Sequence, residues 1–296
     1  MAVKRRSNWY IYFIAFGVAL AFIIGIIMTF SWYLFPEAKE TTGLTSTGEL
    51  ADNFRPDKSH NFTLVTMLSD SATDIPELFM IMSYNAVENT VVFIPIPKGI
   101  SVQQEGRDLS NVFEVKGGNG VLSAVSNATG LSCDAYVSFN RESFMRLVSS
   151  YGNVKYNIPK TLIVKDGEEI ATFNAGELIF SPESLFRYVY FADFGDDEGY
   201  RFNIIADVYS ELLNQNLRYT DSSLLDNYYK IITEHCDSSV TEELYLSKKA
   251  AILNTITYAS APAEYYIPYG EYGEDGSFTL ADNSKMTISQ KCGQDE

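Results

Sequence analysis

The first constraint on this 296-residue chain is a run of 27 residues, Trp9 to Phe35, without a charged side chain. A helix of about 20 apolar residues already crosses the hydrocarbon core of a bilayer. The first eight residues contain three basic side chains, whereas every acidic residue comes after Pro36. The positive-inside rule therefore predicts a cytoplasmic tail over residues 1–8 and an extracellular C-terminal part. A cleaved signal peptide is the alternative, but its apolar region covers only about 7–15 residues. The run predicts a retained single-pass anchor in the cell membrane over residues 9–35.

The charge of the chain is strongly asymmetric. The formal net charge is -16, and residues 37–296 alone carry all 38 acidic but only 19 basic side chains, which gives -19. A surface of this sign is unsuited to the phosphates of nucleic acids, so no nucleic-acid partner is expected. Three cysteines and two histidines are too few for a zinc ribbon or a disulfide scaffold. The spacing of Cys133, Cys236 and Cys292 does not indicate which of them, if any, are paired.

Residues 36–61 are polar and contain the run Thr41–Gly48, a composition typical of a stalk between a membrane and a folded domain. Ordered structure is expected from Phe62 onward. Three short apolar runs follow, each with the length and composition of a buried strand; they cover residues 62–68, 78–82 and 90–94. Strands that are apolar along nearly their whole length need burial on both faces of the sheet.

Segments with helical spacing alternate with further strands in the rest of the chain. A helix is predicted from Val121 to Gly130, where the glycine ends it, and a hairpin turn is predicted at Asp166 and Gly167. Further helices are predicted over residues 141–150, 182–191, 200–214, 222–236 and 241–258. Strands interleaved with helices predict one α/β domain over residues 62–296, with a mixed β-sheet packed by helices on both faces and preceded by one transmembrane helix.

The sequence contains no Walker A loop, no G-x-G-x-x-G, no G-x-S-x-G and no H-E-x-x-H motif. The glycine-rich stretch Lys116–Gly120 precedes the predicted helix and could receive an anion on its backbone N–H groups. A plain turn before a helix is the favoured interpretation, because the signal stands alone. Motifs alone therefore do not indicate a reaction.

Three stretches nevertheless resemble a known family. The first consists of Asp70, Glu77–Asn85 and Val91–Ile100, and is similar to the family's G-x-D strand end followed by R-S-D-T-M-M-L-V-S-I-N and S-I-P-R-D-T. The second consists of Gly117–Gly118 and Gly130–Pro159, and is similar to G-G followed by L-G-I-x-I-D-Y-Y-V-x-V-N and F-x-x-L-V-D-x-L-G-G-V-x-V-x-V-P. The third, Gly176–Leu213, is similar to the region that carries A-L-x-Y-V-R-x-R and R-x-x-R-Q. Over residues 62–215 the chain thus resembles the LytR-CpsA-Psr (LCP) family of cell-envelope proteins, and the predicted domain is an LCP-like fold.

Members of that family transfer a phosphate-linked glycopolymer from a polyprenyl pyrophosphate carrier onto the cell wall. The resemblance implies a Mg²⁺ ion held by carboxylates, arginines that hold the pyrophosphate, and an apolar tunnel for the lipid. Matched position by position, Asp70 and Glu77 are the metal candidates. Asp70, Lys98 and Arg201 are the catalytic candidates, and Lys98, Arg201 and Arg187 are the ligand-binding candidates. The implied partners are the membrane, a polyprenyl-phosphate-linked glycan or cell-wall polymer, and other envelope-assembly proteins.

The sequence departs from the family at the charged positions. Lys98 replaces an arginine and offers a point charge instead of a bidentate fork, and Gly99 replaces the adjacent aspartate. Arg201 matches its arginine only with a shift of one residue. Uncharged side chains occupy the other arginine positions; they are Ile75, Tyr190, Ala192 and Asn203.

Two functions from different classes are compatible with these residues. The favoured one is a degenerate, non-catalytic binding, scaffold or regulatory protein of cell-wall glycopolymer assembly, because the cationic clamp is missing. The alternative is an active glycopolymer phosphotransferase that uses Mg²⁺. A third possibility is an acidic anchored ectodomain unrelated to the family. A tunnel lined by helices within residues 182–214 and opening beside Asp70 and Lys98 would favour lipid binding, whereas a filled core would favour a scaffold.

Overall fold

The computed structural model describes residues 43–44, 50–51, 53–70, 75–100, 108–195 and 198–295. The predicted tail at residues 1–8 and the predicted anchor at residues 9–35 lie outside these ranges. Among the helices within the ranges, none combines the length and the apolar character needed to cross a membrane. The predicted stalk is described only in part. Within it, Phe54 packs against the core of the domain, and the carbonyl of Ser59 accepts a hydrogen bond from Lys248.

A six-stranded mixed sheet forms the centre of the domain, with the strand order β10-β3-β2-β1-β4-β9. β1 pairs with β2, and β2 with β3, in antiparallel orientation, whereas β1 and β4 are parallel. The strands of this sheet are β1 (Phe62–Leu68), β2 (Leu78–Asn85), β3 (Thr90–Ile96), β4 (Ala135–Phe139), β9 (Asp237–Ser238) and β10 (Ala263–Tyr265). The three apolar runs predicted from the sequence are therefore adjacent central strands.

Helices cover both faces of this sheet, as the sequence predicts. The seven helices of the described part are α1 (Leu109–Thr129), α2 (Arg141–Tyr151), α3 (Pro182–Phe191), α4 (Glu198–Asn216), α5 (Ser222–His235), α6 (Glu242–Tyr258) and α7 (Asp282–Lys291). On one face, strand residues such as Met80 pack with α2, α3, α4 and α6. On the other face, Phe79 and Ile81 pack with α1 and α7. Phe79 and Ile81 are both buried, which confirms the two-sided burial expected of these strands.

Three two-stranded sheets complete the fold. They pair β5 (Val154–Ile158) with β8 (Gly176–Phe180), β6 (Leu162–Asp166) with β7 (Glu169–Phe173), and β11 (Gly270–Tyr272) with β12 (Phe278–Leu280). The predicted hairpin turn is present between β6 and β7, where Gly167 has φ = 62°. Glycine is favoured there because a side chain is strained at positive φ. The turn brings Asp166 to the tip of a hairpin that packs beside α3.

The start of α1 differs from the prediction. The helix begins at Leu109, where the side chain of Asp108 accepts a hydrogen bond from Asn111 N at 2.9 Å, and ends before Gly130 in the left-handed conformation. Gly117 has φ = 64° and bends the helix without ending it. A Cβ atom at Gly118 would lie 2.2 Å from the ring of Tyr136, so this glycine permits a close approach to the sheet. The stretch 116–120 is thus a kink within a helix and not a turn before one.

Candidate functional site

Two adjoining apolar cavities lie between the sheet and the helices of one face. The first, of about 200 Å³, lies between β1–β4 and the helices α2, α4 and α5. The second, of about 170 Å³, adjoins the first and lies between β1–β3 and the helices α4, α5 and α6. We call the two cavities together the channel. Six residues line both of them; they are Leu64, Met82, Tyr151, Leu213, Tyr228 and Ile232. Of the helices within residues 182–214, α4 lines the channel, whereas no residue of α3 belongs to the lining of either cavity.

Charged residues surround one end of the channel, and we call five of them the rim. β1, β3 and β4 end at the same edge of the sheet, and β2, which is antiparallel to its neighbours, begins there. Each rim residue lies within three positions of a residue that lines the first cavity. The rim consists of Asp70 after Leu68, Glu77 before Leu78, Lys98 after Pro95, Arg141 after Phe139 and Arg201 before Phe202.

Lys98 is held between two carboxylates. Its Nζ donates a hydrogen bond to Glu77 Oε2 at 2.6 Å and lies 3.5 Å from Asp108 Oδ2. Partial burial alone would lower the pKa of Lys98, but the hydrogen bond with Glu77 and the charges of Glu77 and Asp108 raise it above the ordinary value. Lys98 is therefore protonated at neutral pH, and its charge is already compensated.

Asp70 is held by an arginine from another element. Asp70 Oδ1 lies 3.3 Å from Nη2 of Arg141, the first residue of α2. The guanidinium of Arg141 lies 4.9 Å and 5.2 Å from the ring centres of Phe186 and Phe191 on α3, which is within the range of cation–π contacts. The two aromatic rings and the carboxylate together fix the position of this cation.

Arg141 also belongs to a second ion cluster, at the tip of the β6–β7 hairpin. Arg141 donates two hydrogen bonds to Asp166, from Nη2 to Oδ1 at 2.8 Å and from Nη1 to Oδ2 at 3.1 Å. Arg187 Nε lies 3.1 Å from Asp166 Oδ2, and Arg187 also contacts Glu169 and Glu183. The hydrogen bond from Arg141 holds the pKa of Asp166 below its usual range, and the charges of Arg141 and Arg187 add to this. Asp166 is thus a carboxylate shared by two arginines.

Arg201 has the fewest contacts of the rim cations. Its Nη2 donates to the carbonyl of Tyr190 at 3.4 Å, which is long for an N–H···O hydrogen bond. Its Nε is buried and has no hydrogen-bond partner among the described residues. Burial lowers the pKa of Arg201, whereas the charges of Glu198 and Glu77 act in the opposite direction. A buried cation with so few partners is suited to receive an anionic group.

Tyr190 lies at the same end of the channel, where the family has an arginine. Burial raises the pKa of its hydroxyl, a backbone hydrogen bond at Asp70 acts in the opposite direction, and the charges of Glu77 and Asp70 raise the pKa further. The hydroxyl is therefore protonated at neutral pH. It can donate a hydrogen bond to a ligand but cannot supply the charge of an arginine.

The structure gives reasons for two of the other departures from the family pattern. A Cβ atom at Gly99 would lie 2.2 Å from the carbonyl oxygen of Gly276, so an aspartate does not fit there. Ala192 is buried and forms a bridge with Val164 of the β6–β7 hairpin, so an arginine would displace the hairpin. Asn203 lies exposed on α4 and has no such constraint.

The donor set does not fit a resident Mg²⁺ ion. Glu77 is hydrogen-bonded to Lys98 and Asp70 is paired with Arg141, so each candidate ligand already faces a cation. Within the described ranges, no three histidine, cysteine or acidic side chains form a group that could hold a metal ion. Hard divalent cations need several oxygen ligands. The metal role of Asp70 and Glu77 thus remains a prediction from the family resemblance.

Four of the five predicted site residues, Asp70, Glu77, Lys98 and Arg201, lie together on the rim. Arg187 does not belong to the rim and is linked to it only through Asp166 and Arg141. Arg141 and Asp166 were not among the predicted site residues, and Asp166 was predicted only as part of a hairpin turn. The only sequence signal for Arg141 is that it is a basic residue at the start of a predicted helix, directly after β4.

Comparisons with known proteins agree with this architecture. The LytR_cpsA_psr family model matches residues 55–199, and the search of curated proteins found no match. A crystal structure from Eubacterium siraeum DSM 15702, described as a transcription regulator, is 27% identical, has a TM-score of 0.75, and covers 82% of this chain and 95% of its own.

Two further structures share the fold at lower identity. B. subtilis TagV is 13% identical, with a TM-score of 0.62 and coverage of 80% of this chain and 98% of its own. TagT bound to LIIa-WTA is 15% identical, with a TM-score of 0.59 and coverage of 84% and 97%. The chain therefore carries a LytR-CpsA-Psr domain over residues 55–199.

Proposed function

We propose that this protein takes part in cell-wall glycopolymer assembly by binding a polyprenyl-phosphate-linked precursor without transferring it. The LytR-CpsA-Psr domain supports the process. TagT, a structural neighbour of the same fold, was solved bound to LIIa-WTA, and this supports a cell-wall polymer precursor as the class of ligand.

The observation that carries the proposal is the channel with its charged rim. The channel has apolar walls, and the rim at one of its ends contains Lys98, Arg141 and Arg201. An apolar chain gains about 0.8 kcal/mol for each CH₂ group that it buries, whereas the phosphate of the same ligand needs cations. A ligand with a long apolar tail and an anionic head fits this division. A purely structural scaffold would not need an apolar cavity of this size.

The absence of transfer is proposed from the charges of the rim. The developing charge on a phosphoryl group must be met by positioned cations, and each missing donor costs about 2–4 kcal/mol in activation free energy. The arginine positions at 190 and 192 carry a tyrosine and an alanine, and Lys98 is compensated by two carboxylates. Losses of this size together correspond to several powers of ten in rate.

Binding is tested with the full-length protein in nanodiscs and a fluorescent geranylgeranyl phosphate. Leu213 lines both cavities, and Leu213→Trp is expected to close their junction and to weaken binding by about tenfold or more, since about 1.4 kcal/mol of lost burial is sufficient. The control is Ile179→Trp, which adds an aromatic ring at an exposed position of β8. Equal binding by the Leu213→Trp variant would contradict the assignment of the channel.

Transfer is tested by following turnover of a polyprenyl pyrophosphate with Mg²⁺ or Mn²⁺ in the parent and in a double variant, Asp70→Ala with Lys98→Ala. We expect no turnover in either protein. Turnover in the parent that disappears in the double variant would replace the non-catalytic function by the phosphotransferase.

The proposed location is the cell membrane, with the domain outside. Protease added to intact cells is then expected to remove nearly the whole chain and to spare the N-terminal tail and the span. Recovery of the full-length chain would contradict this topology.

A further inference from the structure

The side chain of Asp166 occupies the space between two arginines near the rim. Both of its oxygens accept hydrogen bonds from Arg141, and Oδ2 is also 3.1 Å from Arg187 Nε. Only 13% of the Asp166 side chain is exposed. An arrangement of two guanidinium groups around one pair of oxygens also suits a phosphate. The planar fork of arginine binds carboxylate and phosphate groups in the same bidentate way.

Both arginines have contacts that do not depend on Asp166. Arg141 packs on Phe186 and Phe191 and reaches Asp70. Arg187 contacts Glu169 and Glu183. The two cations are therefore expected to remain in place when the carboxylate between them is absent.

Asp166 can leave this space without unfolding its hairpin. It is the last residue of β6, and Gly167 and Glu168 after it are exposed. The other end of the hairpin anchors it, because Leu162, Val164 and Phe173 are buried in the core there. Since these buried contacts do not involve the Asp166 side chain, we expect its rotation toward the exposed tip to leave them intact.

The cluster also lies where the family arginines are missing. The hairpin that carries Asp166 covers Ala192 through Val164, and Tyr190 stacks on Phe186, the same ring that Arg141 contacts from α2. Beside the positions of these missing arginines, cationic charge is thus supplied by Arg141 of α2 and by Arg187, one turn before Tyr190 on α3.

We propose that Arg141 and Arg187 are the phosphate-binding pair of this channel and that Asp166 is an internal competitor, whose carboxylate the phosphate of the ligand replaces. The inference rests on the proposed function, because it takes the tail of the same ligand to lie in the channel. The exchange is non-covalent: the ligand's phosphate forms the hydrogen bonds to the two arginines, and Asp166 becomes hydrated.

The test compares geranylgeranyl phosphate with geranylgeraniol, which has the same chain without the charge, on the full-length protein in nanodiscs. Asp166→Asn is expected to lower the Kd of the phosphate about threefold or more and to leave the Kd of the alcohol unchanged. Arg141→Gln is expected to raise the Kd of the phosphate about tenfold, the value of one hydrogen bond between charged groups. Arg146→Gln is the matched control, since Arg146 lies exposed on the same helix.

A second measurement uses the unmodified protein. Amide hydrogen exchange over residues 166–169 is expected to increase when the phosphate binds and to stay constant when the alcohol binds. If Asp166 only stabilises the fold, Asp166→Asn weakens phosphate binding or leaves it unchanged, and amide exchange at residues 166–169 does not change when the phosphate binds. Either result overturns the inference and leaves the channel in place, whereas failure of both probes to bind the unmodified protein overturns the proposed function as well.

Discussion

Replacing Arg201 by methionine is expected to change stability and binding in opposite directions. Among the residues that the structure describes, Arg201 makes one long hydrogen bond, to the carbonyl of Tyr190 at 3.4 Å, and its Nε is buried without a partner. A buried donor without a partner costs about 1–3 kcal/mol. Methionine is unbranched and adapts to irregular spaces, so it fills part of the same volume without this cost.

The expected gain is smaller than the full cost of the unpaired donor. The attraction of Glu198 and Glu77 for the guanidinium is lost, and so is the long hydrogen bond. We therefore expect the free energy of unfolding to rise by about 1 kcal/mol, which corresponds to an increase in Tm of about 2–4 °C for a domain of this size. The phosphate of the ligand loses one cation, so its Kd is expected to rise about tenfold.

The measurements are differential scanning calorimetry of the full-length protein in nanodiscs and titration with geranylgeranyl phosphate. Arg146→Met is the control. Arg146 forms an exposed pair with Glu142, and pairs of this kind contribute less than about 1 kcal/mol. A lower Tm for Arg201→Met together with unchanged affinity would refute the reasoning and would make Arg201 a structural residue.

Three further predictions concern stability. Asp166→Asn is expected to lower the free energy of unfolding by about 2 kcal/mol at pH 7. Because the pKa of Asp166 is lowered in the folded state, this difference between the two proteins is expected to shrink as the pH falls below about 4, as measured by chemical denaturation. A difference that stays constant with pH would contradict the ion cluster. Gly99→Asp is expected to cost about 3 kcal/mol or more through its clash with Gly276, seen as a lower Tm, and an unchanged Tm would contradict the close approach. Burial raises the pKa of Tyr84 to about 12, so stability is expected to fall as the pH rises from 10 to 12, and by less in Tyr84→Phe; an equal fall would place the ionising groups elsewhere.

The central strands could be predicted because their pattern is local. The run Phe62–Leu68 is apolar along nearly its whole length, and only two-sided burial satisfies such a strand. The three-residue strand Ala263–Tyr265 could not be predicted, because it pairs with β3 across more than 160 residues of sequence. The start of α1 was missed for another reason: Gly117 has the signature of a helix end, but its positive φ bends the helix without stopping it.

The site residues that match a motif of the family could be predicted from the sequence, whereas those outside the motifs could not. Asp70 and Lys98 lie at the ends of predicted strands, so the edge of the sheet brings them together. Arg141 and Asp166 are 25 positions apart, and their contact depends on where the β6–β7 hairpin, which packs beside α3, places its tip relative to the start of α2. Neither the charge pattern nor the periodicity of these residues contains that information.

The short distance along the chain between rim and channel lining has a thermodynamic consequence. Asp70 follows Leu68 by two residues and Arg141 follows Phe139 by two, so a strand that shifts when a tail enters the channel also moves the head-group contacts. If occupancy of the channel changes the affinity of the rim by some factor, linkage requires that a bound head group change the affinity for the tail by the same factor. Tail and head recognition would then be cooperative, and discrimination between tail lengths would be measurable as a change in phosphate affinity.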